Sequence, residues 1–350
     1  MTEPLDPANP AGSAPLLSIG LPVRNGENFL EETLRSLCGQ SFTEFELIIA
    51  DNGSTDATQR ICQEYERRDP RIRYVRHEEN AGAAANFNLV LELARAPLFK
   101  WQAHDDQLAP DFLARSVRAL AGHPDAVLCI TGARRVDGHG YELERWNSPL
   151  HGTESGSPAS RFGAVVRTFY CNWTELYGVM RRDAIARTML HRPFRGSDIA
   201  IMAELALLGP FVRIDAPLFI SRDHESRYYR SVDDDPEAVV AWYDPDERAT
   251  RIWHKWALYR AHFQAIRRHI PSPVELLRCH IELLRSMAMW VNVKGLARDV
   301  GWSIDPRLIS WQRRLRRQLF GSPPASIALI SGRFSDPRKG STDPCHRTGG

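Results

Sequence analysis

The sequence predicts an α/β fold: a mostly parallel sheet flanked by helices, followed by a helical C-terminal extension. Short apolar runs alternate with segments of helical periodicity through the first third of the chain. Strand–helix alternation at this spacing implies parallel strands joined by right-handed crossovers. After Pro236 the pattern turns helical, through "VVAWYDPDERATRIWHKWALYRAHFQAIRRH" and "PVELLRCHIELLRSMAMWV".

The elements follow in order. "LLSIGLPV" (Leu16 to Val23) is a buried strand closed by Arg24-Asn25-Gly26. Phe29, Leu30, Leu34 and Leu37 then recur at helical spacing, with Gly39 as a stop. Phe45 to Ala50 is a second strand. Asp56 caps the next helix, with Gln59 three residues on as in a capping box. Arg71 to His77 is a third strand, "GAAANFNLVLELARA" a third helix and "PLFKWQ" a fourth strand. "PDFLARSVRALAG" carries Pro110 near its first turn, where proline suits a helix, and "AVLCITGARRVD" is a fifth strand. Asn147 to Ser160 is rich in Ser, Gly and Pro and reads as a loop. Trp173 to Met180 reads as a strand, "RDAIARTML" and "DIAIMAELALLG" as helices, and "FVRIDAPLFIS" as a strand pair or one bent strand.

The chain has 350 residues, enough for a sizeable core. Hydrophobic content of 43% and charged content of 25% are ordinary for a globular protein, and a net charge of +2 gives no reason to expect nucleic acid. There is no apolar run of membrane-spanning length. The opening "MTEPLDPANPAGSAP" lacks the apolar core of a secretory signal and reads as a disordered lead-in. The six cysteines form no C-x-x-C pair, so neither a disulfide framework nor a zinc site is expected, and a reducing cytoplasm fits.

Ligands of such sheets bind at the carboxyl ends of strands. Four polar stretches fall there: Arg24-Asn25-Gly26, Asp51-Asn52-Gly53, His77 to Gly82 and His104-Asp105-Asp106. They are expected to converge. The adjacent acids Asp105 and Asp106 repel one another, so either a divalent cation offsets them or they sit in an exposed turn. Asp51-Asn52-Gly53 reads equally as a turn.

"SIGLPVRNGENFLEETLRSLCGQSFTEFELIIADNGSTDAT" followed by "NAGAAANFNLVLELARAPLFKWQAHDD" resembles the family-two glycosyltransferases, over roughly residues 16 to 230. The resemblance implies a GT-A-type, Rossmann-like sheet. It implies residues 16–135 as the nucleotide-sugar-binding half and residues 136–232 as the acceptor-binding half. Residues 233–320 form the helical extension, 321–350 a disordered tail and 1–15 the lead-in. By the same resemblance Pro22 and Asn25 line the base pocket and Asp51 accepts a hydrogen bond from the base. Asn80, Gly82 and Asn86 shape the base-and-ribose pocket, with Gly82 otherwise needed for a turn into the helix. Lys100 contacts phosphate, shapes the pocket or is simply solvated.

In similar enzymes an Asp-x-Asp pattern binds a divalent metal. Asp105 is the first choice of ligand for Mn²⁺ or Mg²⁺, with Asp106 as a second ligand or a supporting group. Ala103 stands where the family often has its first acid, and His104 is positioned to compensate. His224 is a further metal ligand or, like Arg222 and Arg227, a diphosphate contact. Asp198, at a helix start, is the general base for an inverting transfer or alternatively a cap. Glu204 reads as a packing or surface residue. Trp173, Glu175 and Tyr177 line an acceptor groove or serve the structure. Arg313, Arg314, Arg316 and Arg317 make a basic amphipathic stretch suited to anionic lipid or simply to solvent.

The function so implied is an inverting, metal-dependent glycosyltransferase. Its donor is a nucleotide-diphosphate sugar, with UDP favoured, and its acceptor a hydroxyl of a polysaccharide, lipid-linked oligosaccharide or glycoconjugate. Cytoplasmic placement, peripheral at the inner membrane face, goes with it. The alternative is a non-catalytic nucleotide-sugar-binding or assembly protein of the same fold, which Ala103 permits. A dehydrogenase or P-loop enzyme is disfavoured, because neither G-x-G-x-x-G after the first strand nor G-x-x-x-x-G-K-[ST] is present.

Overall fold

The computed structural model describes residues 14–168, 174–224, 242 and 254–304. The expected alternation is present as β1 (Leu17–Val23), α1 (Leu30–Cys38), β2 (Phe45–Asn52), α2 (Thr58–Arg68), β3 (Ile72–His77), α3 (Ala83–Glu92) and β4 (Leu98–Trp101). Next come β5 (Gln107–Leu108), α4 (Phe112–Gly122), β6 (Leu128–Val136), β7 (Glu142–Trp146) and α5 (Pro158–Arg167). A 3-10 turn (Thr174–Tyr177) leads into β8 (Val179–Arg181), α6 (Arg182–Ala186), α7 (Ser197–Leu208) and β9 (Phe211–Arg222). The chain continues through α8 (His254–His269), α9 (Pro273–Met287) and α10 (Trp290–Ile304).

The sheet runs β3-β2-β1-β4-β8-β6-β9-β5, with β7 paired to β6. The first four strands are parallel. Beyond β4 the sheet is mixed: β8 is antiparallel to both β4 and β6, β9 is parallel to β6, and β5 is antiparallel to β9. Alternate strand residues supply two cores, one on each face. Leu17, Ile19, Leu21, Leu47 and Ile49 face α1, α2 and α4. Ile48, Ala50, Phe99 and Trp101 face the other layer, which includes α3, α5 and α7. Gly20 lets α3 come close to β1, since a Cβ there would lie 2.6 Å from a Val90 methyl.

Several expectations change. Asn147–Ser160 is not wholly loop, because Ser157 caps α5 by accepting from the Ser160 N–H at 3.3 Å. Trp173 to Met180 is not a strand: Glu175 and Tyr177 lie in the 3-10 turn and only Val179–Arg181 pairs. "FVRIDAPLFIS" is one twelve-residue strand whose register slips around Gly132 of β6. Gln59 does not complete the box at α2. Asp56 accepts from the Thr58 N–H at 3.0 Å, and Glu27 takes the Ala57 N–H at 2.9 Å. The sheet, α8 and α9 belong to one unit, Met1–Asp299. The second unit is Val300–Gly350, of which only residues 300–304 are described. Trp173, Arg227 and the Arg313–Arg317 stretch lie outside the described residues. Among those residues no helix is long and apolar enough to cross a membrane, and Cys38, Cys62, Cys129 and Cys279 are free thiols.

Candidate functional site

The loops after β1 and β2 are stitched together. Asn25 adopts φ +50°, donates its N–H to Ser54 Oγ at 2.9 Å and accepts the Thr55 N–H on Oδ1 at 2.9 Å. The Gly26 N–H reaches Thr58 Oγ1 at 2.8 Å. Pro22 is buried and lies opposite Ala50 in the register, so it forms the floor beneath these loops. Asp51 is fully buried. Its Oδ1 accepts the Ser54 N–H at 2.9 Å, its Oδ2 accepts the Tyr74 hydroxyl at 2.7 Å, and Arg76 lies 3.5 Å away. Burial first, and the bond to Asp51 second, raise the Tyr74 pKa, so the phenol stays a donor. Asp51 therefore performs the turn role that its sequence allowed.

The third strand end joins the same assembly. Asn52 Nδ2 donates to Asn80 Oδ1 at 2.8 Å, and Asn52 Oδ1 takes the Ala81 N–H at 2.8 Å. Gly82 starts α3 at φ +83°, a conformation that favours glycine. Asn86 is buried and donates to the Ala50 carbonyl at 2.8 Å. It braces β2 from below, and its Oδ1 has no hydrogen-bond partner among the described residues.

The loop after β4 is held from two sides. Gln102 Nε2 donates to the Asp106 carbonyl at 2.9 Å, and Thr33 Oγ1 of α1 donates to the carbonyls of His104 and Asp106 at 2.8 and 2.9 Å. The His104 ring reaches the first loop, where a Cβ on Gly26 would sit 2.8 Å from it. Lys100 does not face a phosphate. It is fully buried, donates to the Trp101 carbonyl and Gln102 Oε1 at 2.8 Å each, and lies over the Phe112 and Phe219 rings. Burial lowers its pKa to about 7, opposed by the charge of Asp106. Its burial is at odds with a solvated lysine.

The paired acids separate in function. Asp105 Oδ2 lies 2.9 Å from His224 Nε2, just beyond β9. Asp106, only 1% exposed, instead accepts the Arg222 backbone N–H on Oδ1 at 2.8 Å. Of the two roles expected for Asp106, the supporting one fits. Arg222 is also internal: it bonds the Gly138 carbonyl at 3.1 Å and pairs with Glu32 of α1, and its guanidinium lies 4.7 Å from the Phe29 ring centre. Phe29 in turn packs on His224 at 4.6 Å between ring centres. Sequence reading gives Glu32 and Phe29 no such role, because their partners are far away along the chain.

The start of α7 lies near the end of β4. The Trp101 and His191 rings are 5.0 Å apart, and His191 Nδ1 is 3.4 Å from Ser197 Oγ. Burial drops the His191 pKa to about 3, so its ring is neutral. Asp198 makes no cap: Gly196 holds that position, and among the described residues Asp198 Oδ1 accepts its neighbour's N–H, from Ile199 at 2.9 Å. Asp198 keeps some accessible surface, yet protein surrounds its carboxyl closely enough for desolvation to raise its pKa. Glu204 is not at the surface. It is fully buried and accepts from Met189 N–H, Arg268 and His269 at 2.7 to 2.8 Å, tying α7 to α8. Glu175 is 1% exposed and neither carboxyl oxygen has a partner of normal geometry among the described residues. Desolvation raises its pKa, and the nearby Ser148 offsets this only in part. It does not line an open groove. Tyr177 stacks on Phe219 at 5.5 Å.

One carboxylate oxygen and one imidazole nitrogen meet at the end of the sheet, a donor pair that suits Mn²⁺ and tolerates Mg²⁺ if ligand oxygens complete the sphere. Among the described residues no cluster of three or more His, Cys, Asp or Glu is arranged to hold a metal.

A mixed sheet between helical layers, with its polar loops gathered at one end, is a fold of the GT-A type. A crystal structure of S. aureus TarS 1-349 in complex with UDP-GlcNAc shares this architecture. It superposes with a TM-score of 0.56 at 15% identity, covering 78% of this chain and 73% of that one. Residues 18–178 match the model for glycosyl transferase family 2. Relatives include the provisionally named glycosyltransferase EpsH of Bacillus subtilis (strain 168), 30% identical over 52% of each chain. Another is TuaG of the same organism, provisionally named a teichuronic acid biosynthesis glycosyltransferase, 34% identical over 40% of this chain and 54% of its own. The matches thus span about half the length of these relatives.

Proposed function

We propose that this glycosyltransferase moves a sugar from a nucleotide-diphosphate sugar, UDP-linked by preference, to a hydroxyl acceptor with inversion. The acceptor class is a growing polysaccharide, a lipid-linked oligosaccharide or another glycoconjugate, and the working site is the cytoplasmic side of the membrane. The observation that carries the reading is the 2.9 Å approach of Asp105 and His224 beside the stitched loops of Asn25, Asp51 and Asn80.

In this reading the pocket above Pro22, Asn25 and Asp51 takes the base, while Asn80 and Gly82 fix its wall. Asp105 and His224 hold a divalent cation, Mn²⁺ or Mg²⁺. When bound, the cation neutralises the diphosphate that leaves. Asp198 takes the proton of the acceptor hydroxyl as that oxygen attacks the anomeric carbon and the bond from that carbon to the diphosphate oxygen breaks. Its raised pKa makes it a stronger base than an ordinary aspartate.

Ala103, in place of an acid, supports a second reading: a binding or assembly protein that holds a nucleotide sugar without turnover. Calorimetry of UDP, dTDP, GDP and CMP with and without Mn²⁺, on wild type and Asp105→Ala, tests the donor site. The enzyme reading expects Mn²⁺-dependent binding, tightest for UDP and lost in the variant. A folded protein that binds no nucleotide under any condition would refute the donor site. Binding without transfer to any acceptor would favour the second reading.

A further inference from the structure

The helix α9 presents an uncovered apolar row. Val274, Leu277, Ile281 and Leu284 are 60%, 61%, 40% and 63% exposed. Their spacing of three, four and three residues puts all four on one face. The opposite face of α9 is the packed one, through Cys279, Leu283 and Ser286. The row continues onto α8, where Phe263 is 42% exposed and its ring lies 5.1 Å from that of His280. Single exposed leucines need no explanation, but a continuous row does.

Charge decides what covers it. Arg278 and Arg285 lie on the outward face of α9, 61% and 65% exposed at their side chains. Arg260 and Arg267 are exposed on α8, and Arg267 lies over Phe263 at 5.7 Å. From His254 to His269, α8 contains no acidic residue. The two acids of α9 bond to α5, where Glu275 accepts the Ala159 N–H at 3.3 Å and Glu282 pairs with Arg167, and each also pairs along its own helix, Glu275 with Arg278 at 2.7 Å and Glu282 with Arg285 at 2.6 Å. Four arginines, Arg260, Arg267, Arg278 and Arg285, against two acids leave this face apolar with a net positive charge. A second copy docked by a two-fold axis would bring two such net-positive faces together, with both acids already paired within their own helix. An anionic lipid surface complements both features at once: acyl chains accept the apolar row and headgroups accept the guanidinium groups.

We propose that the Phe263–Leu284 face of α8 and α9 is a docking surface for anionic lipid bilayers. The proposed docking does not involve the Arg313–Arg317 stretch and takes no part in sugar transfer.

The test is co-sedimentation of the full chain with vesicles of phosphatidylcholine alone or mixed with phosphatidylglycerol, at low and high salt. Wild type should pellet with the mixed vesicles only, less so at high salt. Leu277→Gln with Leu284→Gln should stay in solution with an unchanged melting temperature, because both side chains are already in water. Arg278→Gln with Arg285→Gln should weaken binding about fivefold per arginine and flatten the salt dependence. The proposal is overturned by failure of the wild type to pellet, or by undiminished pelleting of the leucine variant. It is also overturned if pelleting is lost only when Arg313, Arg314, Arg316 and Arg317 become glutamine. Sedimentation equilibrium gives a further refutation: a wild-type dimer that the leucine variant makes monomeric would assign the face to a second copy.

Discussion

The two halves of the sheet build their parts of the site in different ways. In the first, β1 to β4 are parallel and each strand end delivers a short polar loop that bonds to its neighbour, Asn25 to Ser54 and Thr55, Asn52 to Asn80. In the second, the strands are mixed and a single long strand, β9, carries its end back to the first half. There Asp106 fixes the Arg222 backbone and Asp105 meets His224. Those bonds between the first three strand-end loops span 28 to 30 residues, whereas Asp105 and His224 are 119 residues apart. The proposed nucleotide pocket can thus be built locally, but the proposed cation site requires both halves to be folded.

The largest effect should come from cutting the link between the halves. Asp105→Ala is expected to lower transfer by about a thousandfold or more, read as sugar transfer at saturating donor. Comparable loss with unchanged Mn²⁺ dependence of nucleotide binding would place Asp105 outside the cation site.

Asp198→Asn should lower transfer by about 10² to 10⁴ while leaving donor affinity unchanged. The base must be deprotonated, so wild-type transfer should fall as pH drops through the raised Asp198 pKa, with the acid limb above the ordinary aspartate range. The same shift has a stability sign. The folded protein favours the neutral acid, so stability is greatest below the unfolded pKa and is lost as pH rises through the folded one. Asparagine is always neutral, and the variant should melt higher than wild type at neutral pH. A lower melting temperature together with retained transfer would remove Asp198 from the site.

Glu204→Leu should break the second half without touching the loops of the first. Loss of the buried carboxylate leaves His269 and the Met189 N–H unpaired and should cost about 3 kcal/mol of unfolding free energy by urea titration. The smallest effect is expected at Asn25→Ala, which removes one loop-to-loop bond and leaves alanine at φ +50°. About 1 kcal/mol, or a fivefold rise in donor KM with little change in kcat, should follow.

The same contrast explains what can be read in the sequence. Strand ends and their loops follow from local periodicity, which locates Pro22, Asn25, Asp51, Asn80 and Gly82 at the carboxyl end of the sheet. Asp105 and Asp106 look equivalent as neighbours, yet the turn at His104 and Asp105 ahead of β5 parts them, and one meets His224 while the other holds Arg222. Lys100 looks available for phosphate until alternation along β4 turns it into the core. Glu32 bonds Arg222 across 190 residues, and nothing local in α1 signals it. The 3-10 turn at Glu175 reads as strand because its residue types favour strands, and tertiary packing overrides them.

The claim that one cation site joins the two halves is best tested by a double-mutant cycle on Mn²⁺-dependent UDP binding. The cycle uses Asp105→Ala, His224→Ala and the double variant, each shown to be folded by its melting transition. If one site spans both halves, each single change should abolish the Mn²⁺ dependence and the double change should add nothing further. Additive losses, or a His224→Ala variant that binds like wild type, would contradict a shared site.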